Sequence, residues 1–179
     1  MFQVDRKYRL PFEPQGEVKI SQGWNGPFSH GNNAPNMTDM TYAVDFQVPL
    51  GTPVLAARGG RARLVVDDKT EYYDGDDRQR GLSTRTNFVS LEHEGSEGKE
   101  YTIYSHLAPG SVPDRIKRGD EVKEGEIIGR TGQSGWAPVP HVHFQALTRD
   151  PESGRLKSRP VQFKGYDGPL EDKDIRAKR

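Results

Sequence analysis

The sequence predicts an all-β fold built mainly from antiparallel strands. Three observations predict it. Apolar and polar residues alternate with period two in many short runs. Turn-forming residues border those runs, and Gly (20) and Pro (13) are plentiful. No segment sustains the 3.6-residue periodicity of an amphipathic helix.

In chain order, the alternation places strands near Glu17–Ile20, Tyr42–Val48, Pro53–Ala57, Ala62–Asp67, Asn87–His93, Tyr101–His106, Ile127–Thr131 and His141–Thr148, with a last short one at Pro160–Phe163. Between them lie turn signals: Asn25-Gly26-Pro27, Pro49-Leu50-Gly51, Gly59-Gly60, Glu94-Gly95 and Arg118-Gly119-Asp120. His30 to Met40 is polar and reads as a loop, and Asp67 to Arg85 reads as a charged insertion. Residues 1–19 are expected to form an extended arm, 20–165 the folded domain, and 166–179 a charged tail that frays or lies on the surface.

With 179 residues the chain suits one domain. Basic and acidic side chains balance at 26 each, so nothing calls for nucleic acid or an anionic membrane as partner. No apolar run approaches the ~20 residues of a membrane span. There are no cysteines, which excludes disulfides, thiolate metal sites and cysteine nucleophiles. Any bound metal must use His, Asp or Glu.

Five histidines are present: His30, His93, His106, His141 and His143. Residues two apart in a strand share a face. His141 and His143 should therefore point together, with Val142 and Phe144 turned into the core. Asp45 and Gln47 should lie opposite Val44, Phe46 and Val48. The same reading of the Tyr101–His106 strand puts Ile103 and Leu107 on one face and His106 on the other. Three strands thus offer imidazole or carboxylate opposite an apolar face. A catalytic zinc wants about three such ligands and an open position for water. Each piece alone has a plainer reading that outweighs the ligand one: a single His-x-His reads as two exposed or packing imidazoles, a strand Asp as a solvated or turn-capping carboxylate, and His30 as a surface residue. His93 falls on the Val89/Leu91 face and reads as structural.

Several motif blocks carry a resemblance. They are Gln22-Gly23-Trp24-Asn25-Gly26-Pro27-Phe28-Ser29-His30, Tyr42-Ala43-Val44-Asp45-Phe46 with Pro49 to Val54, Tyr104-Ser105-His106-Leu107, Arg118 to Gly129, and Thr131-Gly132-Gln133-Ser134-Gly135 leading to His141-Val142-His143-Phe144. In this order, over residues 20 to 148, the sequence resembles the lysostaphin-type (LytM-like) zinc endopeptidases. The resemblance implies an antiparallel core with one Zn2+ per chain in a groove between loops. It implies His30, Asp45 and His143 as zinc ligands and His106 and His141 as catalytic residues. His141 would serve as general base and His106 would support the oxyanion, or the two would exchange roles. It also implies cleavage of peptide cross-links in bacterial peptidoglycan. Many members place the first His four residues before the Asp, where this chain has Thr41; here the candidate lies fifteen positions upstream, as in a long-spacer variant of the motif.

Two rivals are weighed against that reading. One is a non-catalytic homologue that binds peptidoglycan or activates an amidase; the retained His and Asp residues speak against it. The other is a lipoyl-, biotinyl- or phosphocarrier domain, suggested by Gly119 to Gly129; the chain lacks the hairpin-tip Lys of the first two. The N-terminus has no apolar stretch of signal-peptide type. The expectation is extracytoplasmic action, in periplasm, envelope or medium, with the leader absent from this chain.

Overall fold

A computed structural model of the protein describes residues 7–31, 39–73, 85–95, 98–166 and 170. Every regular element among them is a strand. They are β1 (Lys7–Tyr8), β2 (Lys19–Gln22), β3 (Val44–Gln47), β4 (Pro53–Leu55), β5 (Gly60–Val66), β6 (Phe88–Gly95), β7 (Gly98–Ser105), β8 (Glu121–Val122), β9 (Ile127–Arg130), β10 (His141–Arg149), β11 (Leu156–Ser158) and β12 (Gln162–Phe163). No helix among the described residues is long and apolar enough to cross a membrane.

The main sheet runs in the order β2-β3-β10-β7-β6-β5-β8, with β11 also paired to β10. All its pairings are antiparallel. β4 and β9 form a second antiparallel pair, and β1 and β12 a small parallel one. The all-β, mainly antiparallel expectation is borne out. β1, β8 and β11 go beyond the strands expected: each is two or three residues long and, unlike the equally short β4 and β12, lies in no longer apolar run that marks it.

Tyrosine, phenylalanine and valine side chains give the core its shape. Val44 and Phe46 from β3, Val142 and Phe144 from β10 and Tyr104 from β7 turn to one face of the sheet and are fully buried. Phe144 meets Tyr8, Tyr104 and Phe163 edge-on, with ring centroids 6.1, 5.4 and 5.3 Å away. Phe46 likewise meets Phe12 and Phe163. Such edge contacts add about 0.5–1.5 kcal/mol each beyond burial. The described part of the N-terminal arm supplies Tyr8, Leu10 and Phe12 to this cluster, so it is part of the core. Tyr166 and Leu170, expected on the surface with the charged tail, are also buried there. Both carry large apolar surfaces, and burying them outweighs the fraying tendency of a terminus. Residues 1–6, 167–169 and 171–179, where the rest of both ends was read, lie outside the described residues.

Candidate metal centre

The face of the sheet opposite the core carries the site. Asp45 on β3 and His143 on β10 stand directly opposite each other in register. His141 shares the face of His143, two residues along, and both are buried. His30 lies in the loop after β2 with its ring completely buried. One ligand atom from each of His30, Asp45 and His143 can be chosen so that all lie within 4.8 Å of one another.

His106 joins them by a different route from the one its strand alternation suggested. Tyr104, not Ile103, faces the core, and Ile103 is only partly buried. Were β7 to continue, His106 would follow Tyr104 into the core. Instead the strand ends at Ser105, and His106 takes a left-handed backbone conformation (φ 63°). That conformation is uncommon for a residue with a Cβ, though histidine tolerates it better than most. It swings the ring to 4.5 Å from His141 and 6.2 Å from His143, centroid to centroid. The Thr131–Gly135 loop holds it there. Gly132 N–H donates to the His106 carbonyl at 2.8 Å. A Cβ on Gly132 would come within 2.5 Å of Ala108 N, so glycine is needed at that close approach.

Hydrogen bonds fix which ring nitrogens face the site. A carbonyl oxygen only accepts, so each nitrogen bonded to one carries the hydrogen. His30 Nδ1 donates to Gly23 O (2.9 Å), His141 Nδ1 to Val139 O (2.8 Å) and His106 Nδ1 to Ser134 O (2.8 Å). His143 turns Nε2 to Gln145 Oε1 (3.3 Å), and the Gln145 amide in turn donates to Asp39 O. The remaining nitrogens of His30, His141 and His143 converge on one carboxylate. His143 Nδ1 lies 2.8 Å from Asp45 Oδ1, His141 Nε2 3.7 Å from the same oxygen, and His30 Nε2 3.3 Å from Oδ2.

Lone pairs of nitrogen thus face lone pairs of oxygen. A proton or a metal cation must stand between each pair. Burial opposes charge on Asp45, but His141, His143 and His30 outweigh it and hold the carboxyl well below the usual range. Burial pushes His106 down to about 3, reinforced by the neighbouring His141. The site therefore offers an ionised carboxylate beside several imidazole nitrogens, the donor set of a zinc centre. Ligands 2.0–2.2 Å from a tetrahedral zinc lie about 3.4 Å apart, close to the spacing found here.

The five predicted site residues all meet in this one place. His93 does not join them: it bonds Gly59 O and Thr102 Oγ1, both at 2.8 Å, on the core side. Neither Gln22 nor Gln145 stands out in the sequence as a site residue. Gln145 follows from the two-residue period that pairs His141 with His143. Gln22 reaches Asp45 Oδ2 (3.1 Å) only because β2 is bulged, which no sequence pattern discloses. The described start of the charged insertion runs beside the site. Tyr72 pairs with Ser134 and Gly135, and Gly135 N–H donates to Glu71 O at 2.9 Å. Residues 32–38 and 74–84 of the two long loops lie outside the described residues.

A His, Asp and His donor set on one face of an antiparallel sheet defines a candidate metal centre. The chain belongs to peptidase family M23, whose model matches residues 39–155. Four of the five site residues fall inside that stretch, and His30 precedes it. Lysostaphin of Staphylococcus simulans is 35% identical over 122 residues, covering 68% of this chain and 20% of the relative. Peptidoglycan DD-endopeptidase ShyA of Vibrio cholerae is 30% identical over 115 residues, covering 64% and 22%. The chain thus spans about a fifth of the length of these curated relatives. Among solved structures, a zinc-containing peptidase from Vibrio cholerae superposes with a TM-score of 0.55 at 24% identity, covering 86% of this chain and 39% of that one. The resemblance to lysostaphin-type peptidases is borne out at the level of family and fold, and the family is zinc-dependent.

Proposed function

We propose that the chain is a zinc-dependent endopeptidase that hydrolyses peptide cross-links of bacterial peptidoglycan. The observation that carries this reading is the convergence of His30, Asp45 and His143 from three separate segments onto one buried point. In this reading those three residues hold the zinc. When bound, the ion would polarise a carbonyl oxygen and lower the pKa of a water molecule to about 7.

The remaining chemistry belongs to the imidazoles. His141 holds the hydrogen of its Nδ1 on Val139 O, which turns its Nε2 toward the site 3.7 Å from the Asp45 carboxylate. We assign it as the base that accepts the proton of the attacking water and returns it to the leaving amine. His106 keeps its hydrogen on Nδ1 for Ser134 O, so its Nε2 cannot donate to an oxyanion. That tautomer suits His106 to accept a hydrogen bond from the attacking water beside His141 rather than to support the oxyanion. A non-catalytic homologue would have no need of these two oriented imidazoles.

The relative ShyA bears the name of a peptidoglycan DD-endopeptidase, and this supports peptidoglycan as substrate and an extracytoplasmic place of action. Exposed apolar side chains near the site suit an extended peptide: Phe28 (74% exposed), Tyr72 (64%) and Val139 (39%). The test is digestion of muropeptides with either glycine bridges or direct D-amino-acid cross-links, with and without a chelator, read by mass spectrometry. Cleavage of one class, lost with chelator and restored by zinc, is expected. Cleavage indifferent to chelator, or none in either class by the zinc-loaded protein, would overturn the proposal.

A further inference from the structure

We propose that Gln22 is a positioning residue that locks the His30 loop against Asp45 and thereby sets the metal affinity of the centre. This rests on the zinc reading above. His30 and Asp45 lie fifteen positions apart in the chain. A spacer of that length does not fix the distance between its ends, and holding them together costs loop entropy. Something outside the spacer must register the two groups.

The Gln22 side chain does so with its full hydrogen-bonding capacity. Its Oε1 accepts the backbone N–H of Phe28 and of Ser29, both at 2.9 Å. Its Nε2 donates to Ser29 Oγ at 2.8 Å and to Asp45 Oδ2 at 3.1 Å. Two lone pairs and two N–H groups are all a primary amide has. Three of its bonds grip the residues immediately before His30, and the fourth orients the carboxylate. The amide is buried, so each bond is sheltered from competing water.

Two features of the backbone serve this one side chain. β2 pairs Lys19 with Gln47 and Ile20 with Phe46, then shifts by one so that Gln22, not Ser21, stands opposite Asp45. A bulge beside a functional site commonly re-aims a side chain in this way. Next, the turn after β2 carries Gly26 where a Cβ would fall 2.2 Å from Gln22 Cγ. Any larger residue must push the glutamine from its place. Bulge, glycine and amide thus form one device joining the His30 loop to β3.

The test compares wild type with Gln22→Met, Gly26→Ala and, as a control, His143→Ala. Zinc affinity is measured by competition with a chromogenic chelator, and coordination by the visible absorption of the cobalt(II) form. Loss of an outer-shell partner weakens metal binding by about 10–100-fold. That loss, with an altered cobalt spectrum, is expected for Gln22→Met. Gly26→Ala should show the same changes to a smaller degree. Because Gly26→Ala adds one methyl group beside Gln22 and removes no core side chain, it decides the matter if Gln22→Met does not fold. Folded variants that bind zinc within threefold of wild type and keep its cobalt spectrum would overturn the positioning role. Failure of the zinc reading looks different: wild type itself would bind no zinc, or His143→Ala would bind it like wild type.

Discussion

Phe144→Leu separates the two faces of β10. Phe144 lies between His143 and Gln145 in sequence but points to the core, where it meets three aromatic rings edge-on. Leucine keeps much of the apolar bulk and loses the three ring contacts. At about 0.5–1.5 kcal/mol each, these come to about 1.5–4.5 kcal/mol. A chain of this size loses about 2–4 °C of melting temperature per kcal/mol, so a drop of about 3–18 °C is expected by circular dichroism. At a temperature where the variant is folded, its zinc affinity should stay within threefold of wild type, since no site residue shares the face. A drop below 2 °C would mean the aromatic cluster contributes little. Affinity falling with stability would mean that core and site are not separated by the strand's alternation.

Two further outcomes follow from neighbouring features. Burial lowers the pKa of His93, which is held neutral between Gly59 O and Thr102 Oγ1. Its folded value lies below the unfolded 6.5, so its contribution is complete above about pH 6.5 and declines as pH falls below it; His93→Gln should flatten the acid side of a melting-temperature-against-pH curve relative to wild type, and an unchanged acid slope would contradict this. On the substrate side, Tyr72→Ala should raise KM for a cross-linked peptide about three- to tenfold with kcat nearly unchanged, because an exposed wall residue contributes equally to ground-state and transition-state binding. A kcat falling in step with kcat/KM would instead place Tyr72 in the chemistry.

What the sequence discloses depends on how far each feature is local. The alternation of His141-Val142-His143-Phe144 and of Val44-Asp45-Phe46 is local, so two faces and three site residues are legible from it. His30 is legible only through the Phe-Ser-His context, because nothing in a polar loop says where it folds back. His106 reaches the site through one left-handed residue that breaks its strand's alternation, and the pattern alone turned Ile103 and Tyr104 to the wrong faces. Gln22 depends on a bulge and on space left by Gly26, both properties of the folded pair of strands. The N-terminal Tyr8, Leu10 and Phe12 do alternate, yet such a short run beside a terminus carries no sign that a core awaits it.

The most direct measurement is an anomalous difference map at the zinc edge from crystals of the zinc-loaded protein. One peak per chain is expected, about 2.0–2.2 Å from a nitrogen of His30, a nitrogen of His143 and a carboxylate oxygen of Asp45. A peak held elsewhere, or one at this place that leaves out any of the three, would contradict the centre described.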